Sequence, residues 1–253
     1  MSENSVFIKG VQYTAESQGI EFFLDLCDQR IDTISDVENL STLINLSSLD
    51  LSCNNLTEID GIDALTNLER LNLGENRISK ISGLEKLNKL RHLDLQHNKI
   101  RVIEGVDSHS KLEFFGLSHN RIRSISGLEN LVNLKKLILN DNRIIQISGL
   151  ESLENLNLLN LGYNRISDLE GLDSLRSLDL LSLDYNRITE IKGLSNLTHL
   201  KMLSLEHNCI SEVKGLESLK NLESLLLREN NLKGEPDLSY LPNLRIFFAD
   251  NQK

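Results

Sequence analysis

The segment LNLGENRISKISGL, residues 71–84, decides the fold because the chain repeats it with small changes every 22 residues. The next copies read LDLQHNKIRVIEGV (93–106), FGLSHNRIRSISGL (115–128) and LILNDNRIIQISGL (137–150). We call the first residue of each copy position p. It falls at residue 49 and then every 22 residues to 247, and an earlier copy begins at residue 24. About eleven copies therefore predict one array over residues 20–253, preceded by a cap over residues 1–19.

Each copy has the pattern of a short strand that is buried on one face. Apolar residues recur at p−6, p−3, p, p+2, p+7 and p+10, and the alternation at p and p+2 is typical of a strand. A strand of three or four residues cannot bury that face alone, so the copies are expected to stack into a parallel sheet. Asparagine at p+5, from Asn54 to Asn230, is expected to be buried and bonded to the backbone. Glycine at p+12, from Gly61 to Gly215, suits a turn.

This spacing resembles the leucine-rich repeats, L-x-x-L-x-L-x-x-N-x-L. The 22-residue form NRIxxIxGLExLxNL is similar to the class typified by the regulatory subunit of type-1 protein phosphatase. Bacterial internalins share the period but usually carry proline at the glycine position and a secretion signal. The resemblance implies an α/β fold, a right-handed solenoid with a parallel β-sheet on its concave face and short helical or 3-10 turns on its convex face. It also implies a phosphatase as one candidate partner, without assigning residues to that role.

The two ends depart from the repeated pattern. Residues 6–14, VFIKGVQYT, predict a β-hairpin around Lys9 and Gly10 that caps the first copy. At the other end, Phe247 and Phe248 close the array, or a partner or a second copy of the chain covers it. The second alternative predicts self-association through the C-terminal end of an otherwise monomeric protein.

Composition and charge restrict the class of protein. The chain has 27 Lys and Arg against 37 Asp and Glu, a formal net charge of −10, and the outward positions mix both signs. We therefore expect neither a nucleic acid nor a membrane surface as partner. The sequence has no apolar run of about 18 residues, no recognisable signal peptide and three scattered cysteines. These features predict a cytoplasmic protein.

If p and p+2 are buried, the residues at p−1, p+1, p+3, p+4 and p+6 face outward from the sheet. The p+6 position holds an unbroken series of cations from Arg77 to Arg187. One interpretation is that arginine after asparagine is simply consensus and solvated. The other is a basic row for a carboxylate-rich or phosphorylated segment, with the charge partly compensated by Glu75 and Asp141. Tyr163 and Tyr185 are expected to stack on the neighbouring arginines.

Apolar and aromatic residues are concentrated at the outward positions of the central copies, whereas polar residues dominate nearer the N-terminus. Such a cluster with an arginine rim is typical of a protein-binding hot spot. Alternatively, the p−1 side chains lie partly under the sheet edge and have no binding role. The predicted partner-binding residues are Phe114, Arg121, Ile138, Arg143, Leu158, Tyr163, Arg165, Leu180, Tyr185, Arg187 and Met202.

These observations favour a rigid, non-enzymatic scaffold that binds a protein or peptide on its concave face. The sequence has no phosphate-binding loop or Ser/His/Asp set, and it predicts no cofactor. The main alternative is a divalent-metal site at p+4, where His97 and His119 lie between carboxylates. His109 replaces the usual leucine at p−6, and its imidazole is expected to be partly exposed on an irregular outer turn.

Overall fold

The main sheet of the computed structural model, which describes residues 4–18 and 21–250, has twelve strands in chain order. Eleven of them, β4 to β14, run parallel, and β3 pairs antiparallel with β4. The predicted leucine-rich-repeat solenoid is confirmed. The strands are β3 (Glu16–Gln18), β4 (Glu21–Asp25), β5 (Ser48–Asp50), β6 (Arg70–Asn72), β7 (His92–Asp94), β8 (Phe114–Gly116), β9 (Lys136–Ile138), β10 (Leu158–Asn160), β11 (Leu180–Ser182), β12 (Met202–Ser204), β13 (Ser224–Leu226) and β14 (Ile246–Phe248).

The register of the sheet places equivalent positions of neighbouring copies side by side. Leu137 pairs with Leu159, which pairs with Leu181, and all three are fully buried. The leucines at p+2 are buried as well, so the cores of the copies join into one apolar interior. Burial of each leucine contributes about 1.5–3 kcal/mol, which explains why such short strands persist.

The convex side is made of tight turns. Two 3-10 helices, Ile34–Asp36 and Leu40–Thr42, are the helices among the described residues. The later copies have consecutive three-residue turns, as where the Leu65 amide donates to the Ile62 carbonyl at 2.9 Å. Apolar residues three apart match three residues per turn, so these segments bury their side chains without becoming α-helices. No helix in the described part of the chain has the length and apolar character needed to cross a membrane.

A ladder of buried asparagines at p+5 holds the loops that follow the strands. The Asn120 side-chain amide donates to the carbonyls of Leu95 at 2.9 Å and Leu117 at 3.1 Å, and its oxygen accepts from the Ile100 amide at 3.0 Å. The same bonds recur in the other copies, for example at Asn142. The expected structural role of these asparagines is therefore confirmed, and they fix the loop that carries p+4 and p+6.

Two positions in most copies adopt left-handed backbone angles. Gly83 at p+12 has a φ of +76°, and a Cβ there would lie 2.3 Å from the Ile59 carbonyl oxygen, so glycine is required. The p+4 residues from Cys53 to Glu229 also have φ between 51° and 56°, although none of them is glycine. This conformation costs L-residues about 1–2 kcal/mol, and backbone bonds such as that from the Tyr163 amide to the Asp184 carbonyl at 2.7 Å hold it in place.

A β-hairpin covers the N-terminal end of the core. Strands β1 (Ser5–Ile8) and β2 (Val11–Thr14) pair antiparallel, and Phe7 exchanges two backbone bonds with Glu38, of 3.1 and 2.9 Å. Val6 and Ile8 are buried against the first copy. The predicted hairpin is present, and β3 already belongs to the main sheet. The boundary between residues 1–19 and 20–253 stays a prediction.

The last described strand, β14, is only partly covered. Phe247 is half-buried against the core, whereas Phe248 is exposed, with the Arg228 guanidinium 4.1 Å above its ring. A cavity of about 600 Å³ lies beside them and is lined in part by Leu238. Phe247 therefore packs on the end of the core, and apolar surface stays accessible on the last described strand.

The expectation that His109 is partly exposed is wrong. Its side chain is fully buried in the place of the usual leucine. The imidazole Nε2 lies 3.1 Å from the Leu84 carbonyl oxygen and Nδ1 lies 3.3 Å from the Ser108 hydroxyl, so both nitrogens have partners. Burial lowers the pKa of His109. A neutral imidazole that donates to Leu84 fits this environment.

Candidate binding surface on the concave face

The predicted apolar cluster is divided in the structure. Leu158, Leu180 and Met202 pair on adjacent strands and form an apolar patch of half-buried side chains. Lys136 lies between Leu158 and Phe114 in the register. The structure therefore brings together three of the four p−1 residues and separates the fourth.

Phe114 has a different neighbour. Its ring stacks on that of His92 at 4.1 Å with an interplanar angle of 5°. Ile138 is half-buried at p+1 on β9, between Gly116 and Asn160. Both residues are accessible from the concave side, next to the apolar patch rather than within it.

Three p+4 rings form an aromatic stack, composed of Tyr163, Tyr185 and His207. The ring centroids are 4.1 Å apart for the tyrosine pair and 3.9 Å apart for Tyr185 and His207. Tyr163 is 53% exposed and Tyr185 is 41% exposed. The expected stacking of the tyrosines on Arg165 and Arg187 is wrong: the tyrosine faces cover one another, and the cation–π contact found among the described residues is that of Arg228 with Phe248. The Tyr163 hydroxyl beside it raises the pKa of Tyr185.

Beside this stack, six exposed cations follow one another at p+6. We call them the cation row: Arg77, Lys99, Arg121, Arg143, Arg165 and Arg187. None of these side chains forms an ion pair or a hydrogen bond within residues 4–18 and 21–250. Neighbouring members lie one strand apart, about 4.8 Å along the sheet before their side chains diverge. Like charges at such spacing repel one another.

Carboxylates near the cation row have other partners. Asp141 Oδ2 lies 2.6 Å from Nδ1 of His119, and Asp184 accepts from the Ser204 hydroxyl at 2.5 Å. Glu75 forms no ion pair with a described cation. No described ion pair links Glu75 or Asp141 to a member of the row, and the expected partial compensation stays a prediction.

The opposite edge of the concave face is also charged, but there the charges pair. Glu113 bridges Arg91 and Lys135, with 2.6 Å to the lysine, and Lys201 lies 3.1 Å from Asp179. These residues are at p−2, where the strands begin. We call the set the amino-edge charges: Glu69, Arg91, Glu113, Lys135, Asp179, Lys201, Glu223 and Arg245.

The geometry of the p+4 histidines does not favour the metal alternative. His97 and His119 stack face to face, 3.9 Å apart and 9° from parallel. Lone pairs in the planes of two parallel rings do not converge on one ion. Among the described residues, no group of three or more His, Cys, Asp and Glu side chains could hold a metal.

Sequence reasoning missed several members of this surface. The amino-edge charges were overlooked although their alternating signs are visible at a 22-residue spacing. His92 and His207, which extend the ring stacks, gave no signal because a stack depends on side-chain direction. For His207 the left-handed turn at p+4 sets that direction, and the apolar periodicity does not reveal it.

Comparison with known proteins agrees with this architecture. Family profiles described as leucine-rich repeats match residues 44–100, 84–190 and 174–218. The solved structure of internalin C2 from Listeria monocytogenes is 31% identical, has a TM-score of 0.71, and its match covers 78% of this chain and 87% of that one. The chain belongs to the leucine-rich-repeat family. No curated protein sequence matches it.

Two further structures share the fold alone. The functional domain of InlJ from Listeria monocytogenes is 23% identical with a TM-score of 0.66, and the match covers 90% of this chain and 53% of that one. TLR13, solved in a complex with ssRNA13, is 24% identical with a TM-score of 0.78, and the match covers 90% of this chain and 36% of that one. The chain thus spans about half or less of these two proteins. The narrower resemblance to the phosphatase regulatory subunit stays a prediction.

Proposed function

We propose that the protein is a non-enzymatic scaffold that binds another protein or a peptide through its concave face. The observation that carries this proposal is the arrangement on strands β8 to β12, where apolar and aromatic side chains are accessible between a paired and an unpaired row of charges. Leucine-rich-repeat proteins commonly mediate protein–protein interaction, which supports the same assignment. A phosphatase is one partner that the 22-residue repeat suggests.

The mechanism is preorganisation. The parallel sheet and the asparagine ladder hold the backbone of the surface before a partner arrives, so little conformational entropy is lost on binding. Leu158, Leu180 and Met202 supply apolar area, and the tyrosine edges add area together with hydroxyl groups. The arginines orient the partner.

A quantitative pull-down from host lysate, followed by mass spectrometry, tests the proposal. The variant Leu158→Ser/Tyr163→Ala/Leu180→Ser/Tyr185→Ala removes apolar and aromatic area from the face. A matched variant, Ile44→Ser/Val102→Ser/Val132→Ser/Ile145→Ser, changes four exposed apolar residues that are 45–61% exposed and lie outside the outward lanes. Both variants are first checked for a wild-type circular dichroism spectrum and cooperative unfolding.

We expect the first variant to lose proteins that the wild type and the matched variant retain. Equal retention by all three proteins would contradict binding through this face. Retention by the wild type and the first variant, with loss in the matched variant, would move the site outside the concave lanes.

A second candidate function, self-association, is favoured by the C-terminal end. Strand β14 pairs on one side only among the described residues, and Ile246 and Phe248 are 46% and 42% exposed. An accessible strand edge with apolar side chains is a template for pairing. Sedimentation velocity over a range of concentrations tests this. We expect oligomers that Ile246→Lys/Phe248→Lys abolishes, whereas a monomer at high concentration would refute it.

A further inference from the structure

From the cation row we infer the chemistry of the partner, an extended acidic peptide whose carboxylate or phosphoserine groups lie against these side chains. This inference rests on the proposed function and deepens it. It names the occupant of one edge of the concave face.

The first argument is charge complementarity. The six cations are exposed, consecutive and without a described counter-charge, whereas the amino-edge charges of the same sheet pair with one another. Arginine supplies a planar fork of donors that suits carboxylate and phosphate oxygens. A bound acidic peptide would relieve the repulsion between neighbouring members of the row, which no contact among the described residues does.

The second argument is spacing. Six cations on consecutive strands span five intervals, about 24 Å at about 4.8 Å each. An extended peptide rises about 3.3 Å per residue and presents side chains on the same side about 6.6 Å apart. About eight residues therefore cover the row, with roughly two acidic side chains for every three cations, and the long arginine arms absorb the mismatch.

A peptide fits better than a single-stranded nucleic acid. Nucleic acid binding of this kind needs open aromatic faces on which bases stack, but the facing sides of the Tyr163 and Tyr185 rings cover each other at 4.1 Å. Acidic residues at p+3 and p+4 in the copies that carry the row, such as Asp184 and Asp141, also lie on this edge and repel a continuous phosphate backbone. An acidic peptide can place uncharged residues opposite them.

Fluorescence anisotropy with defined probes tests the inference on the full chain. The probes are labelled octaglutamate, an octapeptide of alternating phosphoserine and glycine, octalysine and the oligoribonucleotide U8. Three proteins are compared: the wild type, the row variant Arg121→Gln/Arg143→Gln/Arg165→Gln and the amino-edge variant Arg91→Gln/Lys135→Gln/Lys201→Gln. Both variants lose three positive charges from exposed side chains, so they match in net charge and keep the core intact.

We expect the wild type to bind at least one acidic probe with an affinity that falls as salt is raised. The row variant should bind it about tenfold more weakly or worse, and the amino-edge variant should stay within about twofold of the wild type. The two acidic probes distinguish a carboxylate-rich from a phosphorylated partner. Octalysine should not bind the row.

The inference is overturned if the wild type binds neither acidic probe saturably, if both variants lose the same affinity, or if U8 binds more tightly than the acidic probes. The pull-down separates this failure from that of the proposed function. Loss of a prey protein in the concave variant, without binding of any acidic probe, would refute the acidic chemistry and leave the scaffold function standing.

Discussion

The two edges of the concave sheet carry charges of similar number but opposite organisation. At the amino edge, acids and bases alternate along the array, and Glu113 alone holds two cations. At the carboxyl edge, the cation row has one sign over six copies and no described partner. The same backbone repeat supports both edges, so the fold does not require either arrangement.

The amino-edge charges find ion-pair partners within the molecule, whereas the cation row has none among the described residues. Exposed ion pairs between neighbouring copies add a little stability, and nothing further is needed to explain the amino-edge charges. A row of like charges costs stability, and a bound anionic partner would offset that cost.

The largest expected effect concerns the asparagine ladder, which holds the carboxyl edge in place. Asn120→Ala removes a buried side chain that bonds four backbone groups beside the cation row. Leaving these four groups unpaired should lower the free energy of unfolding by about 4 kcal/mol or more, since each costs about 1–3 kcal/mol. Urea denaturation measures this, and a loss below about 1 kcal/mol would show that the ladder does not hold the carboxyl edge.

The pH dependence of stability tests His109, which is buried in the interior and belongs to neither edge. The pKa of buried His109 lies below its ordinary value of 6.5, so the unfolded chain takes up the proton first as the pH falls. Above pH 6.5 the protonation of His109 therefore costs no stability. As the pH falls through 6.5 towards the folded pKa, the free energy of unfolding decreases. We expect denaturation between pH 7 and 5 to show a smaller loss in His109→Leu than in the wild type. Identical pH slopes would refute the assignment.

At the amino edge, Glu113→Gln should lower the free energy of unfolding by less than about 1 kcal/mol, because its two cations are exposed and Glu113 itself is only half-buried. The hydrogen bond from Lys135 lowers the pKa of Glu113, so its contribution is present at neutral pH and disappears as the pH falls below the ordinary value of 4.5. Thermal unfolding at pH 7 and pH 3 measures both parts. Equal differences from the wild type at the two pH values would contradict a role for the ion pairs.

The smallest effect has the opposite sign. Arg143→Gln removes repulsion from Arg121 and Arg165, so it should raise the stability by less than about 0.5 kcal/mol. The gain should vanish in about 1 M salt, where charges are screened beyond about 3 Å. Lys135→Gln, which removes one cation from the amino edge, is the matched control and should lower stability. A loss of stability in both variants would erase the distinction between the edges.

Periodicity predicted the strands, the core and the asparagine ladder, because each depends on spacing that recurs in every copy. Leu159 and Leu181 had to face inward once the period was known, and Asn120 had to find backbone partners once it was buried. These features are local and repeated, so eleven copies of the pattern reinforce one another.

The surface was less predictable because it depends on the directions of side chains, which the spacing of residues in the sequence does not determine. Tyr163 and Tyr185 each lie two residues before an arginine in the sequence, but the left-handed turn at p+4 directs their rings towards each other. His109 fills a leucine site because its ring nitrogens have polar partners in Leu84 and Ser108. This arrangement occurs in one copy, so the repeat does not predict it. The amino-edge charges lay in the sequence at p−2 and could have been recognised.

The most direct test uses the absence of tryptophan from the sequence. Tyr163→Trp introduces one fluorophore two residues from Arg165, and Val132→Trp introduces one at an exposed site outside the outward lanes. Each protein is titrated with the alternating phosphoserine peptide and with octaglutamate. We predict a saturable change in tryptophan emission in Tyr163→Trp alone, and its loss when Arg121, Arg143 and Arg165 are changed to glutamine. The same change in both reporters, or none in either at saturating peptide, would contradict binding at the carboxyl edge of the concave face.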